Sequence, residues 1–359
     1  MFKKYQSYIF SVFLKTFIIV SLIFLCLTII LNFFEEVKFS EKYDINLYYP
    51  IYLSLLNAPS LIFEIFPFIF LITVKILYLN LNEKNEIKIF NSNGISNYKI
   101  VLILTIISTL VGVFLLIFYY SFSSNLKSKY LDIKNSFSNS NEYLAVVKSD
   151  GLWIKETLDN SIFFIHAEKF NKNILKSVTI TETDKYYRNK STIKSETANI
   201  TSKNWYLEDV NIIEKNGIKK YFKSFIYNSS FNGEKISNLF SNLNSLSIFE
   251  LHNLSKSYRS IGYSNIDIKI HLNKLYSMPI FYILMTILGF IVINKLKHYK
   301  SRFFLIVFGI FISVIVYYLN YFSGVLGSNG VLPVYLSVWV PLLILFLICN
   351  IGILKVNEN

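Results

Sequence analysis

Ionisable side chains inside a strongly apolar chain are where chemistry can sit, and this sequence has few of them. Glu64 and Lys75 fall within one long apolar run, where a charged group is costly and a functional role is the default reading. On a helix they share a face but stand about 16 Å apart along the axis, too far to pair. Lys75 is near enough to the end of its run to snorkel to the membrane surface. Glu64 has no such exit and reads either as a polar contact between helices or as a residue on a substrate path. Just beyond lies a polar stretch, residues 82–96, NEKNEIKIFNSNGIS. Asn82 can cap a helix start by accepting a free backbone N–H. Glu83 and Glu86 then fall in the first turn, where the helix dipole favours negative charge. Ile87 and Phe90 share a face, and Gly94 is a natural stop, with Ile95 and Ser96 leading into the next apolar run. The stretch predicts a short amphipathic helix at a membrane surface, held at both ends and placed to receive a push from a soluble partner. The alternative is a solvated loop.

Other chemistries lack their residues. No GxxxxGK[ST], HExxH or GxSxG pattern occurs, so no phosphate-cradling loop, zinc-binding helix or nucleophile elbow is expected. His166, His252, His271 and His298 are scattered without ligand spacing. Cys26 and Cys349 both sit in apolar runs, which argues against a disulfide framework or a metal site. No cofactor, metal or catalytic residue is therefore expected. The net charge is +13, but residues 125–268 are nearly balanced, with 20 Lys/Arg against 15 Asp/Glu, and the remaining bases cluster at the ends of apolar runs, a pattern of membrane orientation and anionic-lipid contact rather than of nucleic-acid binding.

The elements that position these residues follow from hydropathy. The chain of 359 residues is 53% hydrophobic with mean hydropathy +0.43, beyond an ordinary soluble protein. Six runs are long enough to cross a bilayer, which takes about 20 residues each: 8–34, 49–79, 98–122, 275–293, 303–322 and 331–354. The first is too long for a signal peptide and lacks a cleavage site. Pro59 and Pro67 lie in the second run and Pro279 near the start of the fourth, where they permit kinks. Lys3, Lys4, Lys84, Lys88, Lys295, Lys297, Lys300, Arg302 and Lys355 flank one side, which makes that side and both termini cytoplasmic. The loop 35–48 on the other side holds Lys38 and Lys42 among acids.

Between the third and fourth runs the pattern changes to strands: 143–147, 152–155, 161–167, 175–183, 205–213 and 218–227 are short runs rich in β-branched and aromatic residues. Ser177 to Thr181 alternates apolar with polar, and Asp150-Gly151 and Asn216-Gly217 favour tight hairpin turns. This predicts an all-β module, a sandwich or jellyroll, followed by a short helix capped by Ser247 and Glu250 and ended by Gly262. The fold class expected is an α-helical membrane protein with six transmembrane helices, three before and three after an inserted periplasmic β-jellyroll-like domain. The domains expected are residues 1–124, with a coupling helix at about 82–96, then 125–268, then 269–359.

In this order and spacing the motifs carry a family likeness over nearly the whole chain. Glu86 is followed eight residues later by Gly94, then Ile95-Ser96; Pro59 and Pro67 share the second span. Gly151-Leu152-Trp153-Ile154-Lys155 opens the β-module, Leu251-His252-Asn253 follows it, and Trp339-Val340-Pro341 lies in the last span. The chain resembles the LptF/LptG permease family of lipopolysaccharide export, and the Gly-Leu-Trp and Leu-His-Asn details resemble the LptG member more than LptF. The resemblance implies a heterodimer with a homologous permease subunit and a cytoplasmic ABC ATPase dimer gripping Glu86, Ile87, Phe90, Gly94, Ile95 and Ser96. It also implies periplasmic jellyroll relay proteins as partners and lipopolysaccharide as cargo, in the inner membrane of a Gram-negative bacterium. LptG-type proteins often carry a base near the outer end of the first span. Here that position is Asn32, with acidic Glu35 and Glu36 after it, so Lys38 and Lys274 become the head-group candidates. Two other classes fit parts of the sequence. A membrane-anchored periplasmic scaffold or sensor explains the β-module but requires neither six spans nor a capped helix between the second and third. A secondary transporter predicts inverted repeats of broken helices, and none is visible.

Overall fold

Apolar runs far longer than a soluble helix needs fold here as helices that outlast the runs themselves, because polar flanking residues continue the helical hydrogen bonding into the interface. The structure, a computed structural model, describes residues 4–43, 45–46, 48–137, 152–158, 161–171, 174–185, 188–214, 217–229, 242–260, 264–296 and 302–357. The expected strand at 143–147, the Asp150-Gly151 turn, Asn216, Gly262, His298 and the flanking bases Lys3, Lys297 and Lys300 lie outside the described residues. Two compact units emerge, one from Met1–Lys127 with Lys269–Asn359 and one from Ser128–Ile268.

The first unit is helical. α1 is Lys4–Lys42, α2 is Tyr48–Glu83 and α3 is the short Glu86–Ser92. α4 (Asn97–Phe114) passes through a π-turn at Leu115–Tyr119 directly into α5 (Tyr120–Phe137). After the β-unit and its helix α6 (Ile248–Ser260) come α7 (Ile266–Leu296), α8 (Arg302–Ser328) and α9 (Val334–Asn357). Six of the described helical stretches are long and apolar enough to span a membrane. Three boundaries differ from the sequence expectation. α1 continues to Lys42, so Lys38 is helical rather than in a loop. α2 continues to Glu83, which leaves Asn82 inside its last turn instead of capping a new helix. Pro279 lies in the middle of α7, not near its start.

α2 is the core of this unit, buried along most of its apolar length, whereas α1 and α8 leave most of theirs exposed. Phe70 of α2 stacks on Tyr282 of α7, with ring centroids 4.8 Å apart and planes within 7°. Ser108 and Thr286 share a hydrogen bond of 2.8 Å between α4 and α7. Gly289 of α7 lets the backbone of Leu71 approach so closely that a Cβ there would stand 2.8 Å from its carbonyl oxygen. Such small-residue crossings replace the hydrophobic drive that is absent between helices in lipid.

The second unit carries one antiparallel sheet of six strands in sequence order: β1 Leu152–Leu158, β2 Ser161–Asn171, β3 Ile174–Thr183, β4 Asn189–Asn199, β5 Asn204–Glu214 and β6 Lys219–Asn228. Its buried face holds Ile154, Ile165, Val178, Ile180, Leu207 and Trp205. Trp205 packs edge-on to Tyr227 at 5.8 Å. The expected alternation holds from Val178 to Ile180. One residue earlier it breaks, because Ser177 adopts φ 53, and Leu175 and Val178 are both buried. β4 had no strand signal in the sequence. Gly217 takes the turn with φ +77. α6 begins with the expected capping box, in which the Ser247 amide and hydroxyl both donate to Glu250 Oε2 at 2.8 Å.

Candidate functional site

The polar stretch between the second and third spans forms a turn, a helix and a second turn. Lys84 and Asn85 still donate backbone bonds to Asn80 and Asn82 of α2. Asn85 then takes φ 56 and ψ 14, a left-handed conformation that asparagine tolerates better than most residues. That reversal starts α3 at Glu86. Asn85 therefore occupies the cap position expected of Asn82, without a side-chain bond, and Glu83 belongs to α2. Gly94, at φ +74, closes the far end, where the Ile95 amide donates to the Phe90 carbonyl at 2.9 Å. Ser96 precedes α4 in extended conformation, also without a side-chain cap.

Within α3, Ile87 is buried and anchors the helix to the bundle, Phe90 is half-buried, and Ile89 is exposed. Glu86 accepts the Tyr8 hydroxyl on both carboxylate oxygens, at 2.9 and 2.8 Å. Lys4, Tyr5 and Tyr8 from α1 and Glu86, Ile89 and Phe90 from α3 line a pocket of about 270 Å³. Sequence reasoning missed the α1 half of this site, because nothing local ties residue 8 to residue 86.

The intramembrane candidates separate into distinct environments. Glu64 is exposed on α2, and its charge acts on both Lys274 of α7 and Tyr317 of α8. The half-buried Lys274 also acts on His271, whose Nε2 lies 3.3 Å from the Tyr120 hydroxyl. Its amine packs against Gly324, where a Cβ would stand 2.6 Å away. Lys38 is exposed on α1. Lys75 departs from expectation. It is 0% exposed and donates to the Leu305 carbonyl of α8, so it does not snorkel; the polar partner it needs lies inside the bundle.

A further polar group was not anticipated. Asn57 of α2 donates to Asn32 Oδ1 of α1 at 3.1 Å and accepts Lys127 Nζ of α5 at 2.6 Å. Asn32 and Asn57 are both buried. Lys127 thus brings a basic side chain to the level of Asn32. An asparagine inside an apolar run at position 57 was the available signal. Among the described residues no cluster of three or more His, Cys, Asp or Glu that could hold a metal gathers; His166 instead packs against Trp153, with ring centroids 4.2 Å apart and planes tilted by 40°.

Six helices long and apolar enough to span a membrane, with a β-sheet inserted between the third and fourth, mark a polytopic membrane protein. Residues 7–355 match the lipopolysaccharide export system permease family LptF/LptG. The chain belongs to that family, and is a multi-pass inner-membrane transport protein rather than a catalytic enzyme. A comparison with curated proteins returned no match.

Proposed function

We propose that this chain is the LptG-type subunit of an ATP-driven inner-membrane complex that extracts lipopolysaccharide from the outer leaflet and passes it to a periplasmic bridge. The observation that carries the reading is α3, a separate helix of 7 residues set off from two spanning helices by left-handed residues at Asn85 and Gly94. A short element with sharp turns at both ends moves as a body, and Ile87 ties it to the bundle. A separate ABC ATPase dimer grips Glu86, Phe90 and the turn through Gly94, Ile95 and Ser96. Glu86 forms a charge-assisted bond to a base on the ATPase.

Lys4, Lys84 and Lys88 beside α3 support a cytoplasmic position for it and for both termini, and in this reading the β-unit is periplasmic. A homologous permease subunit covers the exposed faces of α1 and α8, and the two subunits enclose a cavity facing the outer leaflet. Lys38 and Lys274 attract the phosphorylated head group there, and Glu64 lies on the same path. Closure of the ATPase displaces α2 and α4, collapses the cavity and moves lipid towards the β-unit, whose sheet edge docks a jellyroll relay protein. The Gly151-Leu152-Trp153 and Leu251-His252-Asn253 segments favour LptG over LptF. The test is ATP-driven lipopolysaccharide release from proteoliposomes of the full complex. Glu86→Ala is expected to lower release at least tenfold with lipid binding retained; unchanged release removes the coupling role.

A further inference from the structure

A fully buried lysine of the helical unit has no role in that reading so far. Lys75 sits on α2 eight residues before its end at Glu83 and is 0% exposed. Its amine donates to the backbone carbonyl of Leu305 in α8. Leu305 itself is 1% exposed, so the bond is made out of reach of water. Among the described residues no carboxylate pairs with the amine. In a helix the carbonyl at 305 already faces the amide of 309, and Lys75 adds a second donor to it. The geometry depends on Gly309. A Cβ there would stand 2.9 Å from Lys75 Cδ and 3.1 Å from Leu71 Cδ2, and it would overlap the amine itself. Gly309 is therefore the slot that admits the lysine. One turn earlier on α2, Leu71 meets the backbone-width gap left by Gly289 of α7.

We propose that Lys75 is a positioning residue, a latch that makes α2 and α8 move as one body when α3 is displaced. A buried ammonium costs several kcal/mol to desolvate in general, and replacing such a group with an apolar side chain of similar volume is commonly neutral or stabilising. Packing alone therefore gives no reason for lysine here. What a lysine supplies and a methionine does not is one directional bond to a fixed carbonyl on the neighbouring helix. That bond sets the axial register of α2 on α8, and register is what a push along α2 must preserve to reach the fifth span. The proposal rests on the reading that force enters through α3.

The test uses the full complex with its ATPase, measuring hydrolysis and lipopolysaccharide release together. Lys75→Met is expected to leave the complex assembled and hydrolysing, while lipid released per ATP falls at least fivefold. Gly309→Ala is expected to do the same. In the Lys75→Met background, adding Gly309→Ala is expected to cost less than twofold more, because its closest collision, with the lysine amine, is gone. Wild-type release per ATP in Lys75→Met overturns the latch, as do independent, multiplicative losses from the two changes. Assembly and thermal stability of each variant in detergent separate uncoupling from misfolding. Glu86→Ala distinguishes the two readings: if it releases lipid normally while Lys75→Met uncouples, the coupling role of Glu86 fails and the latch stands. The reverse pattern removes the latch alone.

Discussion

The hydroxyl of Tyr8 donates to both carboxylate oxygens of Glu86, at 2.9 and 2.8 Å, and so joins the first turns of α1 and α3. The bond fixes the rotamer of the one acid in α3 and points it along the wall of the pocket shared by the two helices. A hydrogen bond to a charged acceptor contributes about 1.5–3 kcal/mol when shielded and less where water competes, as it does here. Tyr8→Phe is therefore expected to lower ATP-driven lipid release about two- to fivefold, less than Glu86→Ala does. Combining the two should cost no more than Glu86→Ala alone, since the hydroxyl acts through that carboxylate. Additive losses would show that Tyr8 has another role.

The head-group assignment makes opposite predictions for two neighbours. Lys274→Glu is expected to reduce lipopolysaccharide crosslinking from a photoreactive residue at Tyr276 by at least threefold, and Lys38→Glu to weaken it as well. Glu64 acts electrostatically on Lys274, and under this assignment it is expected to compete with the anionic head group for it. Glu64→Gln should then raise crosslinking. Full retention in both lysine reversals rejects them as head-group contacts, and a fall in Glu64→Gln would instead make the carboxylate a direct lipid contact.

Asn57 connects three helices through its bonds to Asn32 and Lys127. Polar contacts between membrane helices are worth about 1–2 kcal/mol in model systems and often less. Asn57→Leu gives up both bonds at a buried position, and is expected to destabilise the bundle by about 1–2 kcal/mol. Denaturant unfolding in mixed micelles measures it. A variant as stable as the wild type would mean that leucine packing offsets the lost network.

Tyr221 donates its hydroxyl to Asp209 Oδ1 at 2.7 Å. That bond is the main cause raising the Tyr221 pKa above its ordinary 10.0, with the nearby negative charge a lesser one. Only the protonated phenol can donate, so the contribution is complete below pH 10 and is lost as pH rises through the folded-state value. Tyrosine ring-carbon NMR, assigned by Tyr221→Phe, should show a midpoint that moves down towards 10 in Asp209→Asn. An unmoved midpoint would assign the shift to another neighbour.

Much of the architecture was legible in local sequence. Hydropathy is a property of a single window, so the six spans could be read directly, and turn chemistry located Gly94 and Gly217. The capping box of α6 was equally local, because both of its partners lie within one helical turn. Helix ends were less legible. Asn82 has the chemistry of a cap, but α2 does not stop where its apolar run stops, and the left-handed Asn85 takes that place. β4, sequence NKSTIKSETAN, is polar at most positions and has no strand signal of its own. It is a strand because β3 and β5 offer backbone partners on both sides.

By itself the sequence determined the number and order of spanning helices, the inserted β-module, the site of α3 and the family likeness, since each rests on composition or on neighbours within a few turns. Only the tertiary structure decided where the buried polar atoms find partners. Lys75 could equally have reached the membrane surface; a glycine more than two hundred positions away on α8 opens the slot that keeps it inside. Lys127 meets Asn57 and Tyr8 meets Glu86 across gaps of 70 and 78 positions. A buried hydrogen-bonding group must be satisfied, but which group satisfies it depends on which helices are packed together, and that is a property of the whole bundle.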